Sequence, residues 1–461
     1  VALTGDRPDG VPARMSLAAL TARARAWLAD GTDRSVAQRM AGSAFLIRVF
    51  SAGLAYLTQI ALARWLGAFE FGIYVYVWTW VMLLGGAVDL GLASSAQRFI
   101  PHYRQAQAGE YLRGFLAGSR WLAFGIASAL SLAGLLAVFL AAPWLDDATL
   151  IPLAVACLCL PMYGLLHVQD GIARSFNWIH LALIPAFVIR QVLLLALLGG
   201  AHLIGLATNA TVAIAAAALA IWITALGQTL WLNRSLASAL GNAGKRYEIA
   251  RWIAVSLPMF LVDGLYLLLM YVDVLMLKYF RTPEEIAVYY AGAKTLALVA
   301  FVYFAVSAAA SHKFAEYFAA GDRAKLSAFL AETIRWTFWP TLLATAGILI
   351  CGWPLLRLFG PQYVDAYGLM FVLAIGFLAR AAIGPGERFL NMLGEQKACA
   401  AIVAVAFLVN LLVGLALIPP LGIMGAAIST TAAFVVESAL IFLAARRRLG
   451  YHLFVAGGKA G

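Results

Sequence analysis

The chain has 461 residues, 63% of them hydrophobic and 12% charged, with a formal net charge of +11. Soluble proteins carry about 25% charged residues, so a soluble multidomain enzyme is excluded and a bilayer is the expected solvent. No Walker loop, zinc-binding helix or nucleophile elbow stands in a soluble context, which argues against an enzyme and against a cofactor or metal.

Residues 1–40 carry mixed charges without an apolar core and read as a cytoplasmic segment rather than a signal peptide. Twelve apolar stretches follow, each near the ~20 residues that cross a hydrocarbon core as a helix. They run over 41–65, 70–97, 119–143, 149–170, 179–200, 206–232, 252–277, 285–311, 328–353, 366–389, 397–418 and 421–444. The expected fold is therefore an all-α integral membrane protein. A bundle over 41–232 is joined by a cytoplasmic linker at 233–251, with Gly241, Gly244 and basic residues, to a second bundle over 252–448. A cytoplasmic tail fills 449–461.

Most of the 33 Lys and Arg fall on one side of this map, including Arg98, Arg104, Arg113, Arg120, Lys245, Arg246, Arg251 and the run Arg446 to Arg448. The positive-inside rule then places both termini in the cytoplasm, and the excess charge reads as topology and lipid attraction, with no nucleic-acid partner. The cysteines Cys157, Cys159, Cys351 and Cys399 read as buried free thiols.

The second half repeats the first at an offset of about 215 residues. Glu70, Gly72 and Tyr74 fall on Glu285, Ala287 and Tyr289, and Gln97-Arg98-Phe99 falls on His312-Lys313-Phe314. Six helices per copy give both copies one orientation, hence two bundles related by an axis along the membrane normal with a cleft between them.

Charged residues inside spans cost roughly 2.5–3.5 kcal/mol each at a helix centre and so mark function or partners. Arg190, Asp263, Lys294 and Arg380 are the deepest. Three cations against one anion suit a diphosphate better than a drug cation. In the alternative reading Lys294 neutralises Asp263. Arg48, nearer the cytoplasmic end, guides a phosphate inward or snorkels. Asp89, among Gly85, Gly86 and Gly91, is a bolt between helices or an ion-coupling group, and Pro258 shares a helix with Asp263 and is a candidate gating bend. Asp273 and Arg335 lie near helix ends and are discounted. Pro161, Pro185 and Gly384-Pro385-Gly386 mark further breaks. The aromatics Tyr74, Tyr76, Trp78, Trp80, Tyr289 and Tyr290 read mainly as interfacial belt anchors.

Three stretches resemble the polysaccharide transporter branch of the multidrug/oligosaccharidyl-lipid/polysaccharide (MOP) exporter superfamily, the Wzx-type flippases. They are Leu62 to Gly67 with Glu70 to Tyr74, Asp89 to Gly91 and Arg98 to Pro101; Ser256 to Pro258 with Asp273 and Glu285 to Tyr289; and Asn391 to Lys397 running into Asn410 and Leu417 to Gly425. The resemblance implies a MATE-like fold and a bacterial inner-membrane flippase for polyprenyl-diphosphate-linked oligosaccharide, such as an O-antigen, exopolysaccharide or capsule repeat unit. It also implies membrane lipids as surroundings, and a polysaccharide polymerase and chain-length proteins as candidate partners. A multidrug/cation antiporter of the same superfamily and a membrane glycan polymerase or ligase are the competing readings.

Overall fold

The computed structural model describes residues 33–239 and 244–455. Most of the expected N-terminal segment, with Arg7, Arg14, Arg23 and Arg25, lies outside the described residues, as do Gly241 and the end of the tail. All regular structure among the described residues is helical.

The first half opens with a continuous run, Asp33–Gly85, broken at Gly67 by a non-helical conformation (φ 76°, ψ 171°) that suits a residue without a Cβ. We call its two parts α1 (33–66) and α2 (68–85). There follow α3 (Leu92–Gln105), α4 (Gly109–Ala141), α5 (Asp147–Cys157), α6 (Leu160–Ser175), α7 (Ile179–Leu203) and α8 (Ala210–Ala239). The second half holds α9 (Ile249–Phe280), α10 (Pro283–Ala297), α11 (Ala300–Ala319), α12 (Arg323–Ile350), α13 (Gly352–Phe359), α14 (Tyr367–Ala382), α15 (Gly386–Met392), α16 (Gln396–Leu421) and α17 (Ile423–Ala444).

Among the described residues, eight helices are long and apolar enough to cross a membrane, and eleven crossings result if each bent pair counts once. The Gly42–Gly85 stretch has 44 residues, or about 66 Å at 1.5 Å per residue, twice the ~30 Å core. With its break at Gly67 it crosses twice, which gives twelve. The two ends of the described chain, at Asp33 and Val455, therefore share one face of the molecule, called here the terminal face. Gly67, Arg281 and Gly422 mark the far face.

Local chemistry sets the helix ends. Thr282 and Glu285 form a reciprocal capping box ahead of Pro283 at the start of α10, and the Asn209 carboxamide accepts from Val212 N–H at 2.9 Å at the start of α8. Glu70, the counterpart of Glu285, accepts from Ala210 N–H at 2.8 Å, so the repeat-related carboxylates both serve helix starts at the far face.

Among the described residues several spans are broken or bent rather than straight. The helix expected over 70–97 breaks across 86–91, where Leu90 and Gly91 take positive φ, and resumes as α3. The spans α5–α6 and α10–α11 bend by 45° and 42°. The break in the tenth span falls at Gly384, with φ 59°, where the sequence places it. By contrast α9 runs unbroken through Pro258.

Candidate functional site in the interior between the halves

At the far face the halves are closed against each other. Gly72 of α2 lies against Pro283 so closely that a Cβ would overlap the Pro283 carbonyl oxygen. Phe71 meets Tyr290 and Tyr363 edge-on, with centroids 6.2 Å apart in each case. Deeper between the halves, Tyr56 and Thr295 share a hydrogen bond of 2.9 Å. Arg64 donates through Nε and Nη2 to the carbonyls of Leu358 and Arg357, at 2.6 and 2.9 Å. It thereby satisfies the last carbonyls of α13, a helix of the other half, with a charge of the sign that a helix C-terminus favours.

Beneath this closure lies a group of aromatic rings shared by both halves. Pro185 begins a π turn over Pro185–Ile189, from which Arg190 N–H reaches back to Pro185 O. The Arg190 Nε donates to Ala186 O at 3.1 Å and its guanidinium lies 5.5 Å over Trp78, itself stacked on Tyr74. From the second half, the Lys294 ammonium sits 5.0 Å over Tyr290 and 5.9 Å over Tyr271. Tyr271 is within electrostatic reach of both cations. The structure therefore brings Arg190 and Lys294 to one group of aromatic rings. Ring faces hold such cations for about 0.5–2 kcal/mol each, less than a buried carboxylate would.

The alternative pairing of Lys294 with Asp263 does not occur. Asp263 accepts from Ser94 Oγ at 3.3 Å, and among the described residues Lys294 has no carboxylate within 4.0 Å. The carboxylate that Lys294 feels is Asp273. Counting from the helix end misplaced this group. Asp273 is buried and accepts hydrogen bonds from Tyr289, from Thr430 at 3.4 Å and from Val274 N–H at 2.8 Å.

Arg380 lies in a separate group. Its Nη2 is 3.2 Å from Glu437, whose side chain is 1% exposed, and 3.4 Å from Tyr266 Oη, while Phe434 lies beneath the guanidinium at 4.6 Å. The reckoning of three deep cations against one deep anion is thus incomplete, because it omits Glu437 within the 421–444 span. Arg48 forms a third group, 5.4 Å over Phe187 and within reach of the Asp170–Arg174 pair.

Asp89 and Asp263 lie within electrostatic reach of each other at the seam between the halves. Asp89 is buried and accepts from Gly91 and Ala93 N–H, both at 3.1 Å, which caps α3 after the break. His167 Nδ1 stands 3.6 Å from it. Gly91 lies against the Ser256–Phe260 backbone around Pro258, and Ser95 and Ser256 share a 2.9 Å hydrogen bond. His167 escaped the sequence reading because it is neutral in a charge count; the pattern of a His facing a buried Asp on another helix needs the fold. Tyr74, Tyr289 and Tyr290 are buried in the interior rather than in an interfacial belt. Cys351 is exposed, whereas Cys157, Cys159 and Cys399 are buried and all four are free.

Among solved structures, an inward-facing multidrug resistance MATE transporter of the MOP superfamily superposes with a TM-score of 0.71 at 16% identity, covering 88% of this chain and 98% of that one. The lipid II flippase MurJ, in an inward closed conformation, gives 0.67 at 14%, covering 87% of each. A MOP superfamily transporter from Pyrococcus furiosus, described as having a binding pocket of reversed polarity, gives 0.67 at 15% and covers 89% of this chain and 95% of that one. No curated protein matches. The MatE family matches over residues 258–416. The family described as polysaccharide biosynthesis protein matches over residues 39–311, more than half of the chain. A match of that extent identifies the chain as a member of the polysaccharide biosynthesis protein family, and its fold is that of the MOP-superfamily transporters it superposes on.

Proposed function

We propose that the chain moves a polyprenyl-diphosphate-linked oligosaccharide, an O-antigen, exopolysaccharide or capsule repeat unit, across the bacterial inner membrane by alternating access. The observation that carries this reading is the pairing of Arg190 from one half and Lys294 from the other at one aromatic lining. Two cations resting on rings can exchange a weak partner for phosphate oxygens. The arginine offers a planar fork and the lysine a compact charge. The rings offer faces on which sugars stack. A drug cation would meet repulsion in the same place.

In this reading the terminal face is cytoplasmic, in keeping with the distribution of basic residues, and closure at Gly72, Arg64 and Tyr56 makes this the inward state. Substrate enters from the cytoplasmic leaflet with its polyprenyl tail left in lipid, binds both halves, and releases when the far face parts. Arg48 draws the phosphate inward and Arg380 positions α14 through Glu437. The Asp89, His167 and Asp263 group at the seam is the candidate for ion coupling, with α9 at Pro258 as the element that responds. A polymerase and chain-length proteins would act on the delivered glycan.

The test is transfer of a fluorescent lipid-linked oligosaccharide in proteoliposomes. Arg190→Gln and Lys294→Gln should each slow transfer at least tenfold while insertion and abundance stay at the parent level, and Arg190→Lys should rescue only in part. Transfer at the parent rate by the double variant would refute the anion site. Export of a fluorescent drug cation by the same vesicles would favour the antiporter instead.

A further inference from the structure

A basic mouth opens on the flank of the first half, away from the shared aromatic lining. Arg113 and Arg120 of α4, Asn233 of α8 and Lys245 line a cavity of about 320 Å³. A second cavity of about 410 Å³ shares Arg120, Asn233 and Lys245 and continues along Phe124, Met162 and Leu226. The two form one groove, charged at one end and apolar along the rest. Among the described residues none lining either cavity is acidic; the nearby carboxylate of Glu110, beside Gly244, leaves the mouth net positive.

The charged end is built rather than incidental. Arg120 donates through Nε to Leu116 O and through Nη1 to Asn233 Oδ1, both at 2.7 Å, and a guanidinium has five N–H donors, so others remain for a ligand. Lys245 is held in place by its neighbour. Arg246 N–H donates to Glu110 O at 3.0 Å and its guanidinium lies 5.0 Å over Tyr111. Gly114 admits the Arg246 backbone so closely that a Cβ would overlap it.

Depth identifies the ligand. The 33 residues of α4 span about 50 Å, whereas the hydrocarbon needs only ~20 residues. Counted back from Ala141, the boundary falls at Trp121, which is 73% exposed and of the residue type that anchors at that level. Arg113 and Arg120 therefore stand among headgroup phosphates, and Phe124 and Leu226 stand where acyl chains begin. Basic pockets between membrane helices at this level recognise anionic headgroups.

We propose that this groove binds an anionic glycerophospholipid of the leaflet on the terminal side. Its phosphodiester sits at Arg113, Arg120 and Lys245, and one acyl chain lies along Phe124, Met162 and Leu226. The mouth is at the small end of ligand pockets, about 300–1,000 Å³, a size that fits a glycerophosphate. Because Lys245 belongs to the connection between the halves, a bound lipid ties that connection to the first bundle. The proposal does not depend on the transported substrate.

The experiment is native mass spectrometry of the purified full chain, with thermal unfolding in detergent supplemented by phosphatidylglycerol or phosphatidylcholine. The parent should retain a phosphatidylglycerol adduct and unfold at a higher temperature with that lipid only. The Arg113→Gln, Lys245→Gln variant, which keeps the Arg120–Asn233 contact, should bind at least tenfold more weakly. Leu226→Trp, which fills the groove and leaves every charge in place, should do the same and carries the test if the first variant fails to fold. Parent-level binding in the folded variants, equal stabilisation by phosphatidylcholine, or an adduct with the mass of a polyprenyl phosphate would overturn the proposal.

Discussion

Replacing Glu437 with Gln should be among the most damaging single changes in the second half, and the reason is electrostatic. At 3.2 Å and an effective dielectric of about 20, the pair attracts by roughly 5 kcal/mol, which offsets a desolvation cost of several kcal/mol per ion. Removing the carboxylate leaves the second of these without the first, since Arg380 is only 18% exposed and an arginine does not surrender its proton. The expected loss is about 3 kcal/mol, within the range for breaking a buried pair and equal to roughly a 150-fold fall in the folded ratio. Equilibrium unfolding in mixed micelles of increasing SDS fraction reads this directly. The double variant Arg380→Met, Glu437→Met should recover most of the loss, because an apolar pair of similar size avoids both penalties. If Glu437→Gln unfolds at the parent SDS fraction, the pair is not holding α14 to α17. If the double variant is as unstable as the single one, the loss comes from packing and not from a stranded charge.

Arg64→Gln removes the charged donor to the carbonyls of Leu358 and Arg357, contacts worth about 1.5–3 kcal/mol together; a cysteine at Thr295 should then react severalfold faster with an impermeant thiol reagent added at the far face. Asp89→Ala uncaps α3 and should cost about 1–2 kcal/mol in SDS unfolding, while Asp89→Asn, which keeps an acceptor, should cost less; equal losses would deny the cap. Cysteines at Asp147 and Gly244 should be labelled from outside and from inside the cell respectively, and the reverse pattern would invert the assigned topology.

The all-helical, twelve-crossing architecture was legible because hydropathy, charge bias and caps such as Thr282 and Glu285 are local properties. The break at 86–91 was not, although Gly85, Gly86, Asp89 and Gly91 signal it together. An apolar window averages over a turn whose carboxylate serves its own backbone. Asp273 was discounted from its distance to a helix end, yet what decides its surroundings is Tyr289 and Thr430 packed over it from other helices. Glu437 escaped for the converse reason. A lone carboxylate in an otherwise apolar stretch has meaning only once Arg380 is known to face it, and that knowledge is tertiary. Arg190 and Lys294 were singled out by depth and sign alone, but not the rings that hold them.

The π turn at Pro185–Ile189 inserts one residue more than an α-helical turn requires. Everything beyond it along α7 is therefore rotated by about 100° relative to an uninterrupted helix of the same sequence, one residue's share of a 3.6-residue turn. A helical wheel drawn from Ile179 would aim Arg190 a quarter-turn or more away from Trp78. Deleting one residue between 186 and 189 would restore a plain helix while leaving both flanks in their present seats. It would also withdraw the carbonyl that now holds the Arg190 Nε. The surplus residue thus acts as an indexing step that sets the bearing of Arg190 together with every turn of α7 that follows it.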